Sequence, residues 1–188
     1  MSFKKIQNSN EVKHFHETAE QAYSNGDYRK VIYLMDRALT NSPSSIAFQT
    51  QKAECLVYMN RYQEAQELAN DIVMREQTNS DALFVRGMCL YYQDNAEKAF
   101  QHFQRVLQYS PDHLKAKNFY KKAKLLQKSK TEGNEAFKAG RWQDAYDLYS
   151  EALNIDPNNK QINAALYFNR ATTSSKVIEL IISLFAKL

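Results

Sequence analysis

Residues 51–68, QKAECLVYMNRYQEAQEL, and the stretch that begins at Arg86, RGMCLYYQDNAEKAFQHF, are two versions of one pattern. Cys55 and Cys89 stand 34 residues apart, and so do Leu56 and Leu90, Tyr58 and Tyr92, and Ala65 and Ala99. Val31 precedes Ala65 by the same interval, and Pro43 and Pro111 are two intervals apart. A fixed period in this range marks a repeat architecture, in which a unit buries its apolar face only by stacking on its neighbours.

A period of 34 is the tetratricopeptide length. Such a unit has a first helix with a small residue at its eighth position, a tight turn, and a second helix. Small or large apolar residues recur at positions 20, 24 and 27, often with a proline at 32. Units starting at Val12, Ile46 and Ser80 place Ala19, Ala53 and Gly87 at the eighth position. The later positions read Val31, Met35, Ala38, then Ala65, Ala69, Ile72, then Ala99, Phe103, Val106. A fourth unit from Leu126 gives Gly133, Ala145, Tyr149, Ala152 and Pro157. Small residues let two helices approach, and large ones fill the space between neighbours. The expected fold is therefore all-α, a right-handed superhelical solenoid of helix-turn-helix repeats.

Residues 114–125, LKAKNFYKKAKL, are extra to the period, hold no Gly or Pro, and are rich in helix formers. One long helix is expected from 112 to about 138, opened by Pro111 and Asp112 and ended by the Gly140 turn. The domain reading follows: 1–113 as a first sub-array of three repeats, 114–125 as a helical linker, and 126–188 as a second sub-array. The opening FKKIQNSNEV looks like the tail of another linker helix, as if the chain began within an array. The second sub-array has one full repeat, one incomplete repeat and a divergent apolar tail, 177–188. That tail, VIELIISLFAKL, lacks the turn and the small-aromatic pattern of a second helix. It is expected either to pack back as an irregular cap or to lack order, as in a truncated chain.

Four glycines and three prolines in 188 residues are few for an all-β chain, which agrees with helices and short turns. No stretch reaches the roughly 20 apolar residues of a membrane span, and the amino end has no signal-peptide core. Two cysteines cannot build a disulfide framework and fit a reducing compartment. The expected location is cytoplasmic, with the nucleus also permitted. Cys55 and Cys89 share one repeat position, which reads as apolar filler rather than a metal pair. His14 and His16, two apart on a helix, point different ways. No nucleophile–base motif or phosphate loop is present, so no metal, cofactor or enzymatic activity is expected. The lysine run from Lys115 to Lys130 reads as a solvated helix face, and no nucleic acid is expected as partner.

The motifs DYRKVIYLMDRAL, KAECL, RYQEAQ, SDALFVRGMCLYY, SPDH, EGNEAFKAGRWQDAYDLYSEALNIDPNN and LYFNR, spread over residues 2–176, resemble the tetratricopeptide-repeat, J-domain (DnaJ-type) co-chaperones. The resemblance is to a middle slice of such a protein, since no His-Pro-Asp tripeptide occurs and Pro111-Asp112-His113 has another order. It implies a co-chaperone adaptor that contacts heat-shock chaperones of the seventy- and ninety-kilodalton classes through their acidic C-terminal peptides. A scaffold that grips an internal segment of another partner is the alternative.

The resemblance also implies a site. Chaperone-binding members hold a terminal carboxylate with Lys and Asn at positions 5 and 9 of one unit and Asn at 6 of the next. Lys and Arg from a third unit complete that group. Here Lys130 and Asn134 fill the first two places, Asn169 in LYFNR fills the third, and no sixth unit supplies the last two. Lys130 and Asn134, one i,i+4 step apart, share a helix face. Lys offers a charge-assisted bond to a carboxylate and the amides donate to its oxygens. In the first three units the matching places hold His16, Glu20, Gln51, Asp81 and Val85, with Arg86, Tyr92 and Gln93 as candidates to line their groove.

Overall fold

A computed structural model describes residues 3–186, with side chains from residue 11 onward. Among the described residues there are nine helices and no strand. They are α1 (Phe3–Ser24), α2 (Tyr28–Asn41), α3 (Ile46–Tyr58), α4 (Tyr62–Arg75), α5 (Ser80–Tyr92), α6 (Ala96–Tyr109), α7 (Leu114–Lys138), α8 (Trp142–Ile155) and α9 (Lys160–Phe185). Short turns join successive helices, and the all-α tetratricopeptide solenoid expected from the period is present.

The repeat positions are the core. Ala19, Ala53, Val31, Met35, Ala38, Ala65, Ala69, Ile72, Ala99, Phe103, Val106, Ala145, Tyr149 and Ala152 are all buried. Gly133, the eighth position of the fourth unit, is buried too, and a Cβ built on it would stand 2.7 and 2.9 Å from Tyr149 ring carbons. That ring is itself buried. Gly133→Ala is expected to lower stability by up to about 2 kcal/mol in a thermal or urea melt. Overpacking costs about 1–3 kcal/mol, of which better helix propensity returns only about 1.

The turns repeat as strictly as the core. Gly26, Asn60 and Asp94 have φ of 72°, 60° and 56°, and Gly140 again has 72°. The first three follow the 34-residue period, and Gly140 is displaced by the twelve extra residues. A left-handed turn favours Gly and is tolerated by Asn and Asp. Side-chain caps then start the next helices: Asp27 accepts from the Lys30 N–H, Ser45 from Phe48, Asn79 from Ala82 and Asn159 from Ile162.

The long helix is present as α7, 25 residues or about 37 Å. It begins at Leu114 rather than 112, because His113 Nδ1 accepts the Ala116 N–H at 3.1 Å and so sets the cap there. Its buried stripe of Ala116, Phe119, Ala123, Leu126, Ser129, Gly133 and Ala136 recurs at three- and four-residue steps, leaving the lysines on the remaining faces. Lys122 lies over the Phe119 ring and Lys128 faces Glu132 at 3.8 Å.

The expectation for the tail is corrected. Instead of an irregular cap or a break in order, the chain from Val177 continues α9 as helix to Phe185. No Gly or Pro interrupts 160–185, so nothing locally stops the helix. Ile178, Leu180, Ile181, Ile182, Leu184 and Phe185 are exposed along it. The last two residues of the 177–188 segment lie outside the described residues. Among the described residues no helix is long and apolar enough to cross a membrane.

Two compact units divide the chain. One runs through Cys89 and takes in Arg105–Pro111; the other comprises Leu90–Gln104 and the chain from Asp112 on. In the first, α1 packs on α2, α2 on α3 and α3 on α4. Tyr23 donates to buried Glu54 at 2.6 Å, and Tyr28 stacks on Tyr58 at 4.6 Å between centroids. In the second, α7 packs on α8 and α8 on α9. A buried node fixes the α8–α9 turn: Tyr91 donates to Asp156 at 3.1 Å and Asn159 donates to the Tyr91 carbonyl at 3.2 Å.

Candidate functional site

Within the second unit, α7 and α9 present Asn134 and Asn169 to one cavity of about 250 Å³. Tyr149 of α8, Phe137, Lys138, Phe168 and Thr172 complete its wall. The volume lies below the roughly 300–1,000 Å³ of small-molecule sites, which fits one terminal residue of a chain better than a cofactor.

Each amide is oriented from behind. Tyr149 OH donates to Asn134 Oδ1 at 2.8 Å, and Asn169 Nδ2 donates to the same oxygen at 3.5 Å. With its oxygen engaged inside the fold, Asn134 has only its N–H groups to offer, and among the described residues Nδ2 makes no hydrogen bond. Burial pushes the Tyr149 hydroxyl above its ordinary range, and a hydrogen bond from Asn169 partly offsets this. The phenol therefore stays a donor to Asn134, which leaves Nδ2 as the open group of that amide. Phe168, 73% exposed, supplies an apolar lip.

The three residues singled out from the sequence do not all meet. Asn134 and Asn169 do. Lys130, one turn before Asn134, does not line this cavity; its Nζ lies 3.0 Å from both carboxylate oxygens of Asp94. Arg170, next to Asn169, is held between Tyr146 and Tyr167, its guanidinium 5.6 and 5.2 Å from their centroids. Sequence reasoning missed Lys138, Phe137, Phe168 and Tyr149 as wall residues. The spacing held one signal: Lys138 follows Asn134 by the same step that Lys130 precedes it.

Of the groove candidates in the earlier repeats, Arg86 lines a cavity of about 670 Å³ in the first unit with Glu67, Asp71, Met74 and Arg105. Tyr92 is buried against Phe119 and Gln93 is exposed. That first-unit cavity mixes both charge signs and selects no one ligand. Cys55 and Cys89 are both buried and free, and among the described residues no three His, Cys, Asp or Glu side chains group to hold a metal.

Comparison with known proteins agrees with the fold. The family described as anaphase-promoting complex, cyclosome, subunit 3 matches residues 3–72, and the tetratricopeptide repeat family matches 80–113 and 130–159. DnaJ homolog subfamily C member 7 of Homo sapiens is 49% identical over 175 residues, covering 93% of this chain and 35% of its own length. The chain thus spans about a third of the length of that curated relative. The crystal structure of the P58(IPK) TPR domain superposes with a TM-score of 0.59 at 19% identity, over 92% of this chain and 48% of the other. The first TPR of Spaghetti (RPAP3), bound to the HSP90 peptide SRMEEVD, gives 0.52 at 20% identity, over 62% and 92%.

Proposed function

We propose that this chain, which is a tetratricopeptide-repeat relative of the DnaJ homologs of subfamily C, acts as a co-chaperone adaptor whose second unit takes the acidic C-terminal peptide of a heat-shock chaperone. The observation that carries the reading is the convergence of two amides from neighbouring repeats on one small cavity, with Asn134 Nδ2 making no hydrogen bond among the described residues. A terminal carboxylate has two acceptor oxygens and matches that pair, whereas a neutral side chain gains much less. Lys130, Asn134 and Asn169 form the peptide-binding group, with the Lys130 charge one turn from the amides. The similar Spaghetti domain is bound to a peptide that ends in Glu-Glu-Val-Asp, which supports the same ligand class here. The seventy- and ninety-kilodalton chaperones are the proposed partners, in the cytoplasm, and the role is binding rather than catalysis.

The test is a calorimetric titration with a peptide ending in Glu-Glu-Val-Asp, as free acid and as C-terminal amide. Asn134→Ala combined with Asn169→Ala is expected to weaken the free acid at least about tenfold, each lost bond to a charged group being worth about 1.5–3 kcal/mol before solvent screening. Amidation of the peptide is expected to do the same to the parent protein. Equal binding of acid and amide would overturn the carboxylate reading and favour a groove for internal segments.

A further inference from the structure

Asn134 stands midway on a stripe of three polar residues, Lys130, Asn134 and Lys138, each one helical turn from the next along α7. The two lysines are in different situations. Lys130 is bound bidentately by Asp94, and the two side chains are only 24% and 30% exposed, so solvent screens the pair weakly. Asp94 holds the left-handed position of the α5–α6 turn, φ 56°, so its place is set by the repeat. Drawing Lys130 towards a ligand means breaking this pair. Lys138 is exposed, lines the cavity with both asparagines, and makes no ion pair or hydrogen bond among the described residues.

We propose that Lys138 is a further cation of the site, the one that meets the ligand's terminal carboxylate at the cavity, with Lys130 a second charge one turn before Asn134 and paired to Asp94. The inference rests on the peptide reading of the cavity and adds to it a residue and a chemical requirement. The cavity wall then combines one free ammonium, two amide donors and the Phe137 and Phe168 rings. It fits a C-terminal residue whose carboxylate lies at the Lys138 end and whose preceding apolar residue rests on the rings. An ammonium on a flexible four-carbon stem can follow a carboxylate within the cavity mouth without rearranging α7.

The experiment is a titration of the full chain with the free-acid peptide ending in Glu-Glu-Val-Asp, using K138M, K130M and N134A. Methionine keeps the apolar stem and removes only the charge. K138M is expected to bind about tenfold more weakly, K130M to lose less than K138M because its charge is shared with Asp94, and Lys138→Arg to bind close to the parent. The K138M loss is expected to shrink to less than about twofold with the amidated peptide, while K138M melts like the parent. If K138M binds like the parent while N134A weakens binding, the Lys138 assignment is overturned and the peptide reading survives. A K130M loss larger than that of K138M also overturns it. If N134A binds the free acid as well as the parent, or the parent does not bind it, the peptide reading falls and this inference with it.

Discussion

Tyr149→Ala is expected to destabilise the second unit by about 3–5 kcal/mol, the range for emptying a fully buried aromatic site. The ring is 2% exposed, closes against Gly133, and reaches the site through its hydroxyl. Gly133 cannot collapse into the space, because it has no side chain to move, so the void stays open. Urea unfolding followed by circular dichroism measures the loss. Tyr149→Phe separates fold from site: the ring stays, and the hydroxyl's 2.8 Å bond to Asn134 and its hydrogen bond from Asn169 are removed. The expected stability cost is about 1 kcal/mol. Peptide affinity is expected to fall as well, because the Asn134 oxygen then keeps only the 3.5 Å bond from Asn169. A Tyr149→Phe protein with parental affinity would show that the amide needs no orientation from behind.

The second large effect concerns the buried node behind α9. Asp156 is 2% exposed, accepts from the Tyr91 hydroxyl at 3.1 Å and from the Asn158 N–H at 3.2 Å. Asp156→Ala is expected to cost about 2–3 kcal/mol, since it leaves a fully buried phenol without its acceptor. Tyr91→Phe alone is expected to cost less, and the double variant less than the sum of the two, because both ends of one bond are then gone. A purely additive cycle in the urea melts would mean that the two groups do not act as a pair. Tyr91 also carries a pH signature. Burial, then Asp156, pushes its hydroxyl well above the ordinary value of 10.0. The native state therefore keeps a proton that the unfolded chain releases above pH about 10. Its contribution to stability is complete below that pH and falls as pH rises beyond it, a slope that Tyr91→Phe is expected to flatten.

The fold was legible because its rules are local and periodic. Ala65 and Ala99 were matched by spacing alone, and both are wholly buried. Asn60 and Asp94 occupy the left-handed place that Gly26 marks, at the same interval. Helix α7 was legible because 114–125 contain no breaker. The course of α9 was not, since the expectation for 177–188 came from the missing repeat pattern, whereas the helix continues where no Gly or Pro stops it.

The site divides the same way. Asn134 and Asn169 were legible as members of adjacent units, and they share a cavity. The commitment of Lys130 to Asp94 was not, because it joins residues 36 apart through a turn whose carboxylate the repeat pattern leaves free to vary. Tyr91 and Asp156, 65 residues apart, were beyond any spacing argument. Such contacts join residues at no multiple of the 34-residue interval, so no period records them.

The side-chain amide region of a nitrogen-15 NMR spectrum tests the central claim most directly. On titration with the free-acid peptide ending in Glu-Glu-Val-Asp, the Asn134 and Asn169 NH₂ resonances are expected to shift together and saturably, and to stay in place with the amidated peptide. Shifts confined to other regions, or identical with both peptides, would contradict a cavity built to receive a chain's terminal carboxylate.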